Sequence, residues 1–67
     1  MKSIYDVQQF LKKYGTFIYI GDRSADLELM EEELMELRQS QLIDPKDFQT
    51  ALLLVRHERQ LLNKNKR

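Results

Sequence analysis

Residues 16–20, TFIYI, form the one strand-like run in a chain whose other apolar residues recur at helical spacing. Their β-branched and aromatic side chains favour extended backbone. No second segment alternates apolar and polar residues with a period of two, so a strand here has nothing in the chain to pair with. This isolation disfavours a sheet within the chain and predicts an all-α protein in which the run is an extended or turn-like apolar connector packed against the bundle. The alternative is a strand that another molecule completes.

Three helices are predicted, one before this connector and two after it. Each is indicated by an N-cap residue followed by an apolar stripe. The caps are Ser3, Asp22 and Asp44, and the third is followed by Pro45, which suits the first helical position. The predicted ranges are about 4–14, 23–41 and 45–62. Together they form a small three-helix bundle, a single domain over residues 1–67 with a frayed basic tail at 63–67.

The residue inventory argues against an enzyme. There is no cysteine and one histidine, His57, which lies opposite Phe48 on the helical wheel and therefore faces solvent. A row of carboxylates, Glu28, Glu32 and Glu36, has no facing ligands for a metal and is interpreted as a solvated acidic face. We predict no catalytic, cofactor or metal site. No apolar run is long enough for a signal peptide or a membrane span, which favours the cytoplasm.

Charge is segregated along the chain although its formal net charge is zero. Residues 1–23 carry four basic and two acidic side chains, residues 24–44 carry one and seven, and residues 45–67 carry six and two. The ends are therefore basic and the middle acidic. Ion pairs between the acidic second helix and its basic neighbours would leave little positive field for a polyanion, so charge alone does not choose a ligand.

A family resemblance rests on the stretch YDVQQFLKKYGTFIYIGDRSADLELMEEEL and on LIDPKDF after it. The most specific parts are YGTFIYIGDR and ADLELME. From Tyr5 to about His57 the chain resembles the YqgQ-like family of short bacterial proteins of unknown function. The resemblance implies a compact three-helix protein in the cytoplasm, and it brings no catalytic residues to carry over.

Two binding functions remain open. Cations interleaved with aromatic rings are typical of proteins that bind single-stranded RNA or DNA, because bases stack on rings while Lys and Arg neutralise phosphates. That hypothesis uses Lys12, Lys13, Tyr14, Phe17, Tyr19, Arg23 and Arg56. The alternative is a protein-interaction module, a homodimer or an adaptor, whose apolar patch is Phe17, Tyr19, Leu29, Leu54 and Leu61. The two hypotheses differ in whether the rings of the connector meet a base or another protein.

Overall fold

Three helices, α1 (Ile4–Lys12), α2 (Arg23–Gln39) and α3 (Pro45–Asn65), make up the fold of this computed structural model. The structure describes the backbone of residues 1–65 and the side chains of residues 1–63, and this part contains no strand. The predicted all-α three-helix bundle is confirmed. α3 continues past its predicted end at residue 62, and the last two residues of the predicted frayed tail lie outside the described range.

α1 begins and ends with local hydrogen bonds that its sequence encodes. The Ser3 hydroxyl accepts from the Asp6 N–H at 3.5 Å, and the Asp6 carboxylate accepts from the Lys2 N–H at 2.8 Å. At the other end Thr16 N–H donates to the Leu11 carbonyl at 3.1 Å, while Gly15 adopts a φ of 87°. This is a Schellman motif, which ends the helix two residues before the predicted boundary.

The same motif ends α2, but without a glycine. Leu42 N–H donates to the Leu37 carbonyl at 3.0 Å, Gln41 N–H donates to the Arg38 carbonyl at 2.9 Å, and Gln41 has a φ of 59°. A residue other than glycine or asparagine is uncommon in this left-handed conformation. α2 therefore ends at Gln39 instead of the predicted residue 41.

All three helices contribute to one hydrophobic core, and its members follow the predicted stripes. The buried residues are Ile4, Val7, Leu11, Leu27, Met30, Leu34, Leu37, Ile43, Ala51 and Val55. Around them pack the half-buried Phe10, Ile18, Phe48, Leu54 and Leu62. Ile18 comes from the connector, so that segment is anchored in the core along with the helices.

The connector lies along α2 and runs in the opposite direction to it. The Thr16 hydroxyl donates to Glu33 Oε1 at 3.0 Å, and the Ile20 N–H donates to Asp26 Oδ1 at 2.8 Å. Four extended residues cover about 13 Å and seven helical residues about 10.5 Å, a difference of about 2.5 Å that side chains can span. A hydrogen bond at each end and Ile18 in the middle therefore fasten the predicted extended segment to α2.

Candidate nucleic-acid interface

The connector alternates between inward and outward side chains. Ile18 packs against the core, whereas Phe17 is 73% exposed and Tyr19 is 87% exposed. Such alternation follows from extended backbone, in which successive side chains point to opposite faces. Because Ile18 holds the segment down, both rings project into solvent from the same side.

A cleft of about 210 Å³ lies between these rings and α1. Its lining consists of Gln8, Gln9, Lys12, Thr16, Phe17, Ile18 and Tyr19. The Lys12 ammonium lies 5.9 Å from the centroid of the Phe17 ring, within range of a cation–π interaction. The cleft thus combines two exposed rings, one cation beside the first ring, and two amides that both donate and accept hydrogen bonds.

A second cleft adjoins the first along α1 and contains another predicted cation. It is lined by Met1, Lys2, Asp6, Gln9, Phe10 and Lys13, so Gln9 borders both clefts. Tyr14 belongs to neither lining. Its ring packs edge-to-face against Phe10 at 5.4 Å, and the residue remains 40% exposed. Lys13 therefore extends the basic surface of the first cleft, while Tyr14 serves mainly to cover Phe10.

Two predicted site residues are engaged elsewhere. Arg23 pairs with Glu58 at 3.4 Å, and Arg56 pairs with Glu31 at 3.5 Å. Both pairs join α2 to α3, and neither arginine lines the cleft. The seven predicted nucleic-acid contacts are thus not one surface. Lys12, Phe17 and Tyr19 share a cleft, Lys13 lines the adjoining cleft, and the remaining three line neither.

Lysines and arginines divide between two roles in this fold. Each arginine pair above, like the 2.7 Å pair between Arg59 and Glu31, connects two helices. By contrast, Lys2, Lys12 and Lys13 form no ion pair within residues 1–63. The same holds, over that range, for the exposed carboxylates Glu28, Glu32 and Glu36. The charge segregation therefore persists on the surface as lysines at the two ends of α1 and an acidic outer face of α2.

The predicted protein-interaction patch is only partly available to a partner. Leu29 is 36% exposed and Leu61 is 41% exposed, but Leu54 packs against the core. Leu29 lies three residues after Asp26 and four before Glu33, so it shares the flank of α2 that carries the connector. It can join the two rings in one apolar surface, whereas Leu54 acts in the fold itself.

Sequence reasoning missed the two glutamines of the cleft and the role of Asp26. Gln8 lies one helical turn before Lys12, a spacing that would have placed both on one flank of α1. By residue type, Asp26 in the first turn of α2 is expected only to complement the helix dipole. It is instead 6% exposed and accepts the Ile20 N–H, which orients the end of the connector. Neither contact is visible in residue type.

Across the described side chains, no three His, Asp or Glu residues converge to hold a metal ion. His57 is exposed, as predicted. A depression of about 660 Å³ surrounds the turn between α2 and α3, includes Arg38 and Leu42, and contains none of the predicted site residues. In residues 1–65, no helix has the length and apolar character needed to span a bilayer.

Comparison with known proteins agrees with the resemblance seen in the sequence. The model of the family described as YqgQ-like matches residues 1–61. A curated protein of Bacillus subtilis (strain 168), named "Uncharacterized protein YqgQ", is 40% identical over 58 residues, which cover 87% of this chain and 82% of the relative. The family match includes α1, the connector and α2, and hence every residue that lines the cleft.

Proposed function

The chain belongs to the YqgQ-like family, and we propose that it is a non-catalytic module, acting in the cytoplasm, that binds single-stranded RNA or DNA in the cleft between α1 and the connector. The observation that carries this proposal is the pair of exposed rings, Phe17 and Tyr19, fastened beside Lys12. Exposing two aromatic rings to solvent is costly in so small a domain, and stacked bases would cover them.

The expected affinity is modest. Stacking contributes about 1–3 kcal/mol per base, so two rings supply about 2–6 kcal/mol before any phosphate contact. Binding free energies of about 4 and 8 kcal/mol correspond to Kd values near 1 mM and 1 µM. Stacking alone therefore predicts a Kd between about 30 mM and about 40 µM for a short oligonucleotide, and phosphate contacts from Lys12 and from Lys13 and Lys2 in the adjoining cleft should lower it.

The test is a titration of a fluorescently labelled eight-nucleotide thymidine strand, followed by anisotropy at several salt concentrations. Each neutralised phosphate of a single strand contributes about −0.7 to the slope of log K against log salt, so Lys2, Lys12 and Lys13 together predict about −2. Lys12→Ala should make the slope less steep by about 0.7. Lys46→Ala makes the same charge change at the exposed start of α3, away from the cleft, and should leave the salt slope unaltered.

The same titration tests the two rings separately from the lysines. Phe17→Ala and Tyr19→Ala should each weaken binding by about 1–3 kcal/mol without changing the salt slope, because they remove stacking and no charge. Circular dichroism of both variants should match the parent, since these side chains are mostly exposed. Absence of binding at low salt, or binding indifferent to both ring substitutions, would rule out this function for the cleft.

A second candidate, protein interaction through the connector, is favoured by a different observation. Among the described residues, the N–H groups of Phe17, Ile18 and Tyr19 donate no hydrogen bond. Unpaired backbone flanked by apolar side chains is the arrangement that accepts a strand from another chain. A homodimer would sediment near twice 8.1 kDa and return to a monomer with Tyr19→Glu. Leu54 is unsuitable for this test because it packs against the core.

A further inference from the structure

The spacing of the two exposed rings determines what they can hold. Phe17 and Tyr19 are two positions apart on an extended segment, and each residue there advances about 3.3–3.4 Å, so their Cα atoms are separated by about 6.6–6.8 Å. Successive bases in a stacked helical strand are about 3.4 Å apart. Two neighbouring nucleotides that each occupy one ring must therefore be separated from each other by about twice the stacking distance.

The protein holds this spacing in place. Thr16 and Ile20 fasten the two ends of the connector to α2 through Glu33 and Asp26, with hydrogen bonds of 3.0 and 2.8 Å. Ile18, between the rings, packs against the core. A segment held by hydrogen bonds at Thr16 and Ile20 and by the packing of Ile18 between them cannot draw its outward rings together, so any adjustment on binding must come from the ligand.

Lys12 makes the two ring positions of the site different from each other. Its ammonium lies over the Phe17 ring at 5.9 Å, so one ring face is associated with a cation and the other is left for a base. The cation and the first base then lie on opposite faces of the Phe17 ring, and the ammonium is available to a backbone phosphate that passes the edge of that ring. Among the described side chains, none places a cation on the ring of Tyr19, which is 87% exposed and takes the second base.

On the proposed nucleic-acid function, we propose that the cleft binds two successive nucleotides whose bases are unstacked from each other, and that it therefore prefers flexible pyrimidine tracts to stacked purine tracts. A thymine or uracil tract gives up little stacking when it opens to the spacing of the rings. An adenine tract must first break a favourable base–base stack, which reduces its net affinity. Hydrogen bonds to base edges are not needed for this preference.

Two oligonucleotides of equal length and charge test this inference: eight thymidines and eight deoxyadenosines, each titrated at the same low salt. We expect the thymidine strand to bind at least about fivefold more tightly, because phosphate contacts are equal and stacking within the free strand differs. Equal affinity, or tighter binding of the adenine strand, overturns the unstacked site while leaving the nucleic-acid function intact. No affinity for either strand overturns both.

Matched tyrosine variants show whether the preference arises from the pair of rings. Tyr19→Ala leaves a single ring, which can hold one base at the end of an intact stack, so the ratio between the two strands should fall towards one. Tyr5→Ala removes another exposed tyrosine, one that lies on α1 and lines neither cleft, and should keep the full preference. A preference that survives Tyr19→Ala undiminished would contradict the two-ring site.

Discussion

Removing the Asp26 carboxylate should destabilise this protein more than removing any other acidic side chain. Asp26 is 6% exposed, and its Oδ1 atom accepts the Ile20 N–H at 2.8 Å. A hydrogen bond to a charged group contributes about 1.5–3 kcal/mol, and Asp26→Ala also leaves the Ile20 N–H without its acceptor. A core of this size supplies about 3–5 kcal/mol of net stability, so the substitution should remove about half of it.

Urea unfolding followed by circular dichroism measures this loss directly. With a slope near 1 kcal/mol/M for a small domain, the midpoint should fall by about 1.5–3 M. Asp26→Asn retains an oxygen acceptor but not its charge, so its loss should be about half as large. Glu28→Ala, two residues further along and exposed, removes the same charge and should change the free energy of unfolding by less than about 0.5 kcal/mol.

Amide hydrogen exchange tells whether the loss arises at the connector. The Ile20 N–H should exchange slowly in the parent and quickly in Asp26→Ala, under conditions where the amides of α2 remain protected. Oligonucleotide affinity should fall with it, although Asp26 lines neither cleft, because the ring spacing is no longer fixed. A free energy of unfolding within about 0.5 kcal/mol of the parent, or unchanged exchange at Ile20, would refute the anchoring role.

Other substitutions test the fold by unfolding measurements. Gln41 has a strained φ of 59°, so Gln41→Gly should raise the free energy of unfolding by about 0.5–1 kcal/mol. The control Ser40→Gly, at an unstrained φ of −79°, should lower it. A loss of stability in Gln41→Gly would contradict the strain at that residue. Glu31→Gln should cost about 0.5–1 kcal/mol, a loss that must shrink in 1 M salt if the arginine pairs cause it. Leu34→Ala in the core should lower the free energy of unfolding by about 2–5 kcal/mol. Leu53 is 62% exposed, so Leu53→Ala should lower it by less than about 0.5 kcal/mol. Equal losses would contradict the packing of the core.

The helices were predictable because their signals are local. Ser3 and Asp22 accept hydrogen bonds from the N–H groups of Asp6 and Ser24, as N-cap residues do. Helix ends were less accurate, since the end of α2 depends on Gln41 adopting a left-handed conformation for which its residue type gives no signal. The core followed from apolar periodicity, which depends on the helix period and not on how the helices are arranged.

The site was less predictable because it depends on distances between elements. Phe17 and Tyr19 could be identified as site residues from their residue types, and because three short helices cannot cover both faces of an extended run. That Arg23 and Arg56 serve as ion-pair partners between α2 and α3 depends on how those helices pack, which spacing within one helix does not determine. For the same reason the contact between Asp26 and the connector could not be read from the sequence.

The non-helical connector is what allows two rings to act together. In a helix, positions two apart point about 200° from each other, so Phe17 and Tyr19 would face opposite directions. Extended backbone places them on one side, with Ile18 turned inward between them. Gly15 and Gly21, at φ values of 87° and 95°, separate this segment from the helices before and after it. A strand-like sequence without a partner strand therefore serves as a fixed support for two neighbouring rings.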